Sequence, residues 1–163
     1  MASFHGDPFP CGMSYMILEN TGMTAIHDHI RLSELTGKIN DALRVSFSMV
    51  SFWVIADITN HTFKSQNSYH YFDLVEKDPA SSHLLARISG RAWGNGSESI
   101  TRFEKITGQP FTNNIHVLVN VSVQYHPVYG LQLNLNDVDP HFTLGVLEQQ
   151  RQATLERLLS ENP

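Results

Sequence analysis

The stretch IHVLVNVSVQYHPVYGLQLNLN, residues 115–136, contains two alternating segments joined by a turn. From 115 to 123 every odd position is Ile or Val, and positions 131, 133 and 135 are all Leu. This alternation predicts two β-strands, each with one buried face, because successive side chains of a strand point to opposite sides of its sheet. The segment between them, 126–130, contains a Pro and a Gly and predicts a hairpin loop. We therefore expect an antiparallel pair whose buried face includes Val117, Val119 and Val121.

Three earlier segments have the same two-residue period and predict three more strands. Residues 50–58 carry apolar side chains at every even position, and residues 69–76 place Phe72 and Leu74 on one face. In residues 84–93 the even positions are all apolar or glycine, and from position 87 onward the odd positions are Arg, Ser and Trp. Segment 60–68 is polar and predicts a loop between the first two strands.

Apolar residues at helical spacing predict three helices. The first follows Ser33, its expected N-cap, and the last begins at Thr143, which we expect to cap it in the same way. Between the third and fourth strands, residues 99–107 predict a short helix that ends at Gly108. The order helix, three strands, helix, two strands, helix is typical of the OB-fold, a five-stranded Greek-key barrel. We therefore predict a mainly β domain of the α+β class with this architecture.

The regular pattern covers only part of the chain. Residues 1–29 lack periodicity and carry two Pro and two Gly residues between positions 6 and 12, so we expect an N-terminal extension that is disordered or precedes the true start codon. The OB-fold domain is expected over residues 30–142. Residues 143–163 form the final helix in this scheme.

Composition indicates a folded cytoplasmic protein. The chain has 163 residues, of which 41% are hydrophobic, enough to bury a core without a disulfide or a metal. Cys11 is the single cysteine, so it has no partner for an internal disulfide, which fits a reducing cytosol. No apolar run reaches the length that spans a membrane. The formal net charge of -5 opposes nucleic-acid binding unless the eleven basic residues gather on one face.

The outer face of the third predicted strand gathers cations and an aromatic ring. Proteins that bind single strands stack bases on rings and pair phosphates with cations, and in an OB-fold the second and third strands usually carry this surface. The candidate nucleic-acid-binding residues are Arg87, Ser89, Arg91 and Trp93 on that face, Trp53 and Tyr71 on neighbouring strands, and the loop residues Lys64, Arg102 and Lys105. The alternative is that the tryptophans cover the barrel end or pack on a terminal helix, with the arginines merely solvated.

The sequence does not predict a metal site or a catalytic site. His27, Asp28 and His29 are adjacent, but neighbouring side chains of an extended segment point apart, and no second cluster has ligand spacing. Asp137 and Asp139 are better explained as turn-making and helix-capping residues than as metal ligands for phosphodiester hydrolysis. The sequence has no Gly-rich phosphate loop and no Ser-His-Asp set. We therefore expect a chain without catalytic residues, metal or cofactor.

Three stretches of the chain resemble a known family. The first is LSEL at 32–35 followed by WVIADITN at 53–60, and the second is YHYFDL at 69–74. The third is DVDPHFTLG at 137–145, followed by QQRQ at 149–152. These stretches are similar to the first helix, the first two barrel strands and the barrel-to-catalytic junction of the exodeoxyribonuclease VII large subunit. The resemblance covers residues 30 to 163.

The resemblance implies a specific function. The family degrades single-stranded DNA to oligonucleotides together with several copies of a small subunit, and its N-terminal OB-fold domain is thought to bind the strand. It implies that this chain binds single-stranded DNA and that its final helix leads toward a nuclease domain outside the chain. The small subunit would bind parts that are also absent here. Two other classes remain open: a protein-interaction OB domain that docks a partner or its own catalytic domain, and a fragment that is itself a hydrolase.

Overall fold

The computed structural model describes residues 27–161, so most of the predicted extension, Cys11 included, and residues 162–163, which were predicted to end the final helix, lie outside the described residues. In the described part, eight elements follow one another in the predicted order. They are α1 Leu32–Phe47, β1 Ser51–Lys64, β2 Tyr69–Lys77, β3 Leu84–Ala92, α2 Asn95–Thr107, β4 His116–His126, β5 Gly130–Asp139 and α3 Pro140–Glu161. The strands close into a barrel in the order β1-β2-β3-β5-β4, which confirms the predicted five-stranded α+β fold.

A short parallel pairing between β3 and β5 closes the barrel, whereas every other neighbouring pair is antiparallel. Gly90 pairs with Leu133, and Arg91 pairs with Asn134. A Cβ at position 90 would lie 2.4 Å from the ring of Phe72 on β2, so the ring occupies the space that a side chain there would need. Glycine is therefore required where β2 and β3 pack against the closing strand.

Most of the core comes from the alternating apolar residues of the predicted strands, although Val50, Phe52 and Leu131, near the ends of those strands, are exposed. Val117, Val119 and Val121 of β4 are buried, as predicted. Their neighbours in the core come from all five strands and from α2, whose Ile100 and Phe103 pack into the barrel. The helix between β3 and β4 is thus part of the hydrophobic core and holds the barrel together.

The first hairpin is longer than predicted. The prediction of a loop over 60–68 was wrong for residues 60–64, because β1 continues to Lys64 and pairs with β2 as far as Tyr69. A register shift between Thr59 and Thr62 accommodates this extension, and Asn60 has a positive φ of 52° at that point. Polar residues can occupy this part of a strand because only one of its faces contacts the core.

The first two helices begin earlier than predicted. α1 begins at Leu32, where the Glu34 carboxylate accepts the backbone N–H of Arg31 at 2.7 Å, so Ser33 is not the cap. α2 begins at Asn95, because Gly94, with a φ of 52°, turns the chain directly from β3 into the helix.

The start of α3 also differs from the prediction. α3 begins at Pro140, and the Asp139 carboxylate accepts the N–H of His141 at 2.9 Å, which confirms helix capping by Asp139. Thr143, the predicted cap, is instead buried within the helix and donates its hydroxyl to the carbonyl of His116 on β4 at 3.1 Å. This bond fixes the first turn of α3 against the barrel. None of the helices within residues 27–161 is long and apolar enough to cross a membrane.

Candidate nucleic-acid interface

β3 has the two-sided character that the sequence predicts over its second half. Gly90 and Ala92 are buried, whereas Arg87, Ser89 and Trp93 are exposed to solvent. The prediction of a buried position was wrong for Ala86, which is exposed. The preceding residues of β3, from Leu84, are exposed as well, because β3 begins outside the region that the core fills.

The Asp73 cluster, formed by Asn60, Asp73, Arg87 and Ser89, occupies one part of the outer face of β2 and β3. Oδ2 of Asp73 accepts hydrogen bonds from Nη2 of Arg87 at 2.6 Å and from its Nε at 3.2 Å. It also accepts a hydrogen bond from the side-chain amide of Asn60 at 2.8 Å. Oδ1 of Asp73 accepts the Ser89 hydroxyl at 2.9 Å. Burial of Asp73 would raise the pKa of its carboxyl, but the hydrogen bonds from Asn60, Arg87 and Ser89 lower that pKa below its ordinary value. The positive charge of Arg87 is therefore compensated inside the protein.

Arg91 lies four residues further along β3 and has a different set of partners. Its Nε donates to Oδ1 of Asn134 on β5 at 2.9 Å, and its Nη2 donates to Oε1 of Gln124 on β4 at 2.8 Å. Both acceptors are neutral amides, and within residues 27–161 no carboxylate forms an ion pair with Arg91. The guanidinium is thus held in place while its charge stays uncompensated.

Three rings form the aromatic row, which consists of Tyr69, Tyr71 and Trp93. The centroids of Tyr69 and Tyr71 are 6.0 Å apart with an interplanar angle of 17°, and those of Tyr69 and Trp93 are 6.3 Å apart at 21°. Tyr71 pairs with Arg91 across β2 and β3, so the row lies directly beside the uncompensated cation. Lys64 Nζ lies 5.1 Å from the ring centroid of Tyr71, which brings a second positive charge to the row.

Sequence reasoning overlooked Tyr69 as a site residue. The signal was present, because Tyr69 and Tyr71 are two residues apart and therefore share a strand face. The side chains of Trp93 and Tyr71 remain substantially exposed, at 49% and 40%, so their ring surfaces are available to a ligand.

Trp53 is not brought to this surface. It lies on β1 opposite Asn120 of β4, whereas Tyr71 lies opposite Thr62 of the same strand. On the other side of the barrel, Asn120 accepts a hydrogen bond from Asn136 of β5, so β4 and β5 lie between Trp53 and β3. Trp53 is exposed, but its ring is not part of the aromatic row.

The two remaining predicted cations lie on α2. Arg102 forms an ion pair with Asp137 of β5 at 2.5 Å and also donates to the Ser99 hydroxyl at 3.3 Å. Asp137 is part of β5 and accepts a short hydrogen bond from Ser99, so the prediction that it makes a turn was wrong. Lys105 is exposed in the last turn of α2. These residues belong to the helix side of the barrel and not to the outer face of β2 and β3.

A site for a metal ion is not evident among the described residues. Within residues 27–161, no three His, Cys, Asp or Glu side chains are grouped closely enough to hold one.

Solved structures with a similar fold include three bacterial single-stranded-DNA-binding proteins. A small single-stranded DNA binding protein from Mycoplasma pneumoniae aligns with 55% of this chain and 90% of its own, at 6% identity and a TM-score of 0.39. The second single-stranded DNA binding protein of Mycobacterium smegmatis aligns with 58% of this chain and 90% of its own, at 14% identity and a TM-score of 0.41. The SSB domain of a protein from Synechococcus sp. aligns with 55% of this chain and 93% of its own, at 15% identity and a TM-score of 0.33.

Sequence comparison assigns the family. No curated protein matches the sequence. The profile of the family described as OB-fold nucleic acid binding domain matches residues 30–139, which include all five strands of the barrel and the helix α2. This chain therefore belongs to the family of OB-fold nucleic acid binding domains.

Proposed function

We propose that this chain binds single-stranded DNA across the outer face of β2 and β3, with bases stacked on the aromatic row and a phosphate bound by Arg91. The observation that carries the proposal is the position of the exposed row directly beside an arginine whose charge is not compensated. Each base stacked on a ring contributes roughly 1–3 kcal/mol to binding, and a positioned guanidinium binds a phosphate oxygen without first breaking an ion pair.

The same features favour a single strand over a duplex. Tyr71 and Trp93 are exposed at the surface and can stack on unpaired bases, whereas the bases of a duplex are already stacked on one another. The protein carries a formal net charge of -5, so a stiff, highly charged duplex is repelled by most of the surface. A flexible strand can follow the one face where Arg91 and Lys64 lie beside rings.

We further propose that the chain is the OB-fold part of an exodeoxyribonuclease VII large subunit. The support is the resemblance of residues 32–35, 53–60, 69–74, 137–145 and 149–152 to that family. In that setting the domain presents the strand to a downstream nuclease domain, the parent polypeptide hydrolyses single-stranded DNA in the cytoplasm, and the small subunit binds elsewhere on it. The chain itself carries no catalytic residues or cofactor under this proposal.

Binding is tested by titrating a fluorescent oligo-dT with the protein, at several salt concentrations, with a duplex of equal length as control. We expect tighter binding to oligo-dT than to the duplex, and an affinity that falls steeply with salt because phosphate contacts release counterions. Absence of binding to oligo-dT at low salt would contradict the proposal.

The location of the site is tested by a matched pair of variants, Trp93→Ala and Trp53→Ala. Trp93→Ala should weaken binding by roughly 1–3 kcal/mol with an unchanged salt dependence, because it removes a stacking surface and not a charge. Trp53→Ala removes an equally exposed ring that is not part of the aromatic row and should weaken binding much less. An equal loss in both variants would contradict the placement on β2 and β3.

The exodeoxyribonuclease proposal has a separate test. Purified chain incubated with labelled single-stranded DNA, in Mg²⁺ or in EDTA, should leave the DNA intact. Degradation that persists through repurification would show that the chain is itself a hydrolase.

A protein-docking function is the second candidate. Trp53 and Ile55, at 53% and 52% exposure, form an apolar pair on the outer face of β1, which fits contact with a partner or with the chain's own catalytic domain. Salt discriminates between the two functions, because docking through apolar side chains should resist salt that releases a bound strand.

A further inference from the structure

A cavity of about 340 Å³ opens beside the aromatic row. Its walls are Trp93, the first turn of α2 from Gly94 to Gly96, and residues 134–136 of β5. This volume is at the lower end of the range for small-ligand sites, roughly 300–1,000 Å³. The cavity adjoins the proposed strand-binding face, because Trp93 belongs to both.

Two glycines shape this cavity. Gly94 has a φ of 52°, which allows the chain to turn from β3 into α2 immediately after Trp93. A Cβ at Gly96 would lie only 2.2 Å from the carbonyl oxygen of Leu135, so the first turn of α2 packs backbone to backbone against β5. The wall opposite Trp93 is therefore fixed.

Two amides of β5 line the same cavity with complementary groups. Asn134 is only 8% exposed, and its Oδ1 accepts a hydrogen bond from Nε of Arg91. This leaves its Nδ2 free to donate a hydrogen bond. Asn136 donates its Nδ2 to Oδ1 of Asn120 at 3.1 Å, which leaves its own Oδ1 as an acceptor. Asn120 donates in turn to the Ser51 hydroxyl at 3.3 Å, so the orientation of the Asn136 amide is set from outside the cavity.

The free groups are the reason to expect a ligand here. Among the described residues, neither Nδ2 of Asn134 nor Oδ1 of Asn136 has a hydrogen-bond partner. The parallel pairing of β3 with β5 ends at Arg91 and Asn134, and Trp93 and Asn136, each two residues further on, both line the cavity. An amide with a free donor, an amide with a free acceptor and an aromatic ring thus line one cavity.

We infer that this cavity receives one nucleobase of the bound strand and reads its edge through Asn134 and Asn136. Every base presents hydrogen-bond donors and acceptors along its edges, and base edges in single strands are free to pair with side-chain amides. The inference rests on the proposed function and adds base preference to it, which stacking on the aromatic row alone does not supply.

The inference is tested by comparing the affinities of oligo-dA, oligo-dC and oligo-dT of equal length at one salt concentration, for the parent and for Asn136→Ala. The parent should prefer one base by roughly 2- to 10-fold, the factor that corresponds to one net hydrogen bond. In Asn136→Ala this preference should fall below about twofold, with the salt dependence unchanged and the melting temperature close to that of the parent. Gln132→Ala is the control, because Gln132 lies on β5 outside the cavity wall and should keep the parent's preference.

The possible outcomes separate this inference from the proposed function. If the parent binds all three oligomers equally, or if Asn136→Ala keeps the parent's preference, the base pocket is contradicted while strand binding stands. If the parent binds none of the oligomers, the proposed function fails and the pocket with it. A preference that Asn136→Ala loses and Gln132→Ala retains supports the pocket.

Discussion

Arg87 and Arg91 are residues of the same type on the same face of the same strand, yet the charge of Arg87 is compensated by a carboxylate and that of Arg91 is not. Arg87 is bonded to the buried carboxylate of Asp73, and Arg91 is bonded to the amide oxygens of Asn134 and Gln124. The first arginine stabilises the barrel as part of an ion pair. The second is positioned by neutral groups and keeps a charge for a ligand. Strand alternation therefore determines which face a cation lies on, while the neighbouring strands determine whether its charge is available.

The neighbouring strands differ because β3 changes its surroundings along its length. At Arg87 the neighbour is β2, which supplies Asp73 from a position next to the pairing partner of Arg87. At Gly90 and Arg91, β3 pairs in parallel with β5, which supplies Asn134. The same region contains Trp93 and the aromatic row, so the part of β3 with the available charge is also the part with exposed rings.

Lowering the pH protonates Asp73 and breaks its ion pair with Arg87. The largest predicted effect is that the barrel loses stability at a higher pH than the one at which this pair breaks. Nε2 of His61 and Nδ1 of His70 are 3.0 Å apart, and the pair packs against Phe111. Burial, and then repulsion from His61, lowers the pKa of His70 to about 4, although Glu104 opposes the shift. Unfolded His70, with an ordinary pKa of 6.5, takes up a proton that the folded protein excludes.

The free energy of unfolding should therefore fall as the pH falls from 6.5 toward 4, by on the order of 3 kcal/mol. Asp73 behaves differently: its pKa is lowered from 3.8, so its contribution is complete above that pH and is lost only as the pH falls through the lower folded value. Urea unfolding at pH 7.5, 6.0 and 5.0 measures the effect. His70→Gln should flatten the pH dependence, and His83→Gln, at an exposed position, should not. Equal slopes in the parent and in His70→Gln would contradict this assignment.

The next effect is a difference in stability between the two arginine regions. Asp73→Ala leaves Asn60, Arg87 and Ser89 without their shared acceptor and should lower the free energy of unfolding by about 1–3 kcal/mol at pH 7. Arg91→Ala removes hydrogen bonds to two neutral amides, one of them on the exposed Gln124, and should cost less than about 1 kcal/mol. Urea midpoints of the two variants give the comparison. A larger loss for Arg91→Ala would mean that Arg91 is the structural residue of the two.

A smaller effect should appear in the salt dependence of strand binding. Each phosphate contact on a single strand contributes about 0.7 to the slope of log affinity against log salt. Arg91→Ala should reduce the slope by about that amount and weaken binding to all base sequences alike. Arg87→Ala, its matched control on the same strand face, should change the slope much less, because the charge of Arg87 is compensated by Asp73. The reverse result would exchange the two assignments.

The sequence predicts the barrel well and the interface only in part, for a physical reason. Periodicity is a local signal, and it correctly placed Val117 in the core and Trp93 on the outer face. The partners of the two arginines depend on strand pairing: Arg87 reaches 14 residues back to Asp73, and Arg91 reaches 43 residues forward to Asn134. The β3–β5 pairing that creates the second contact has no counterpart in any local pattern, so the different roles of the two arginines emerge only in the folded chain.

The smallest predicted effect is tighter strand binding when Arg87, like Arg91, is bonded to a neutral amide and not to a carboxylate. Asp73→Asn removes the negative charge but keeps a carbonyl oxygen that can accept one hydrogen bond from Arg87, so it should disturb the barrel less than Asp73→Ala. The freed positive charge lies on the same face as the proposed strand path. We expect the salt slope to become steeper by up to about 0.7 and the affinity for oligo-dT to rise a few-fold at low salt. The double variant Asp73→Asn/Arg87→Ala should return both quantities to the parent values, because it removes the charge that the first change released. An unchanged slope in folded Asp73→Asn would mean that the strand passes Arg91 and the aromatic row without reaching Arg87, which would limit the interface to the part of β3 beside β5.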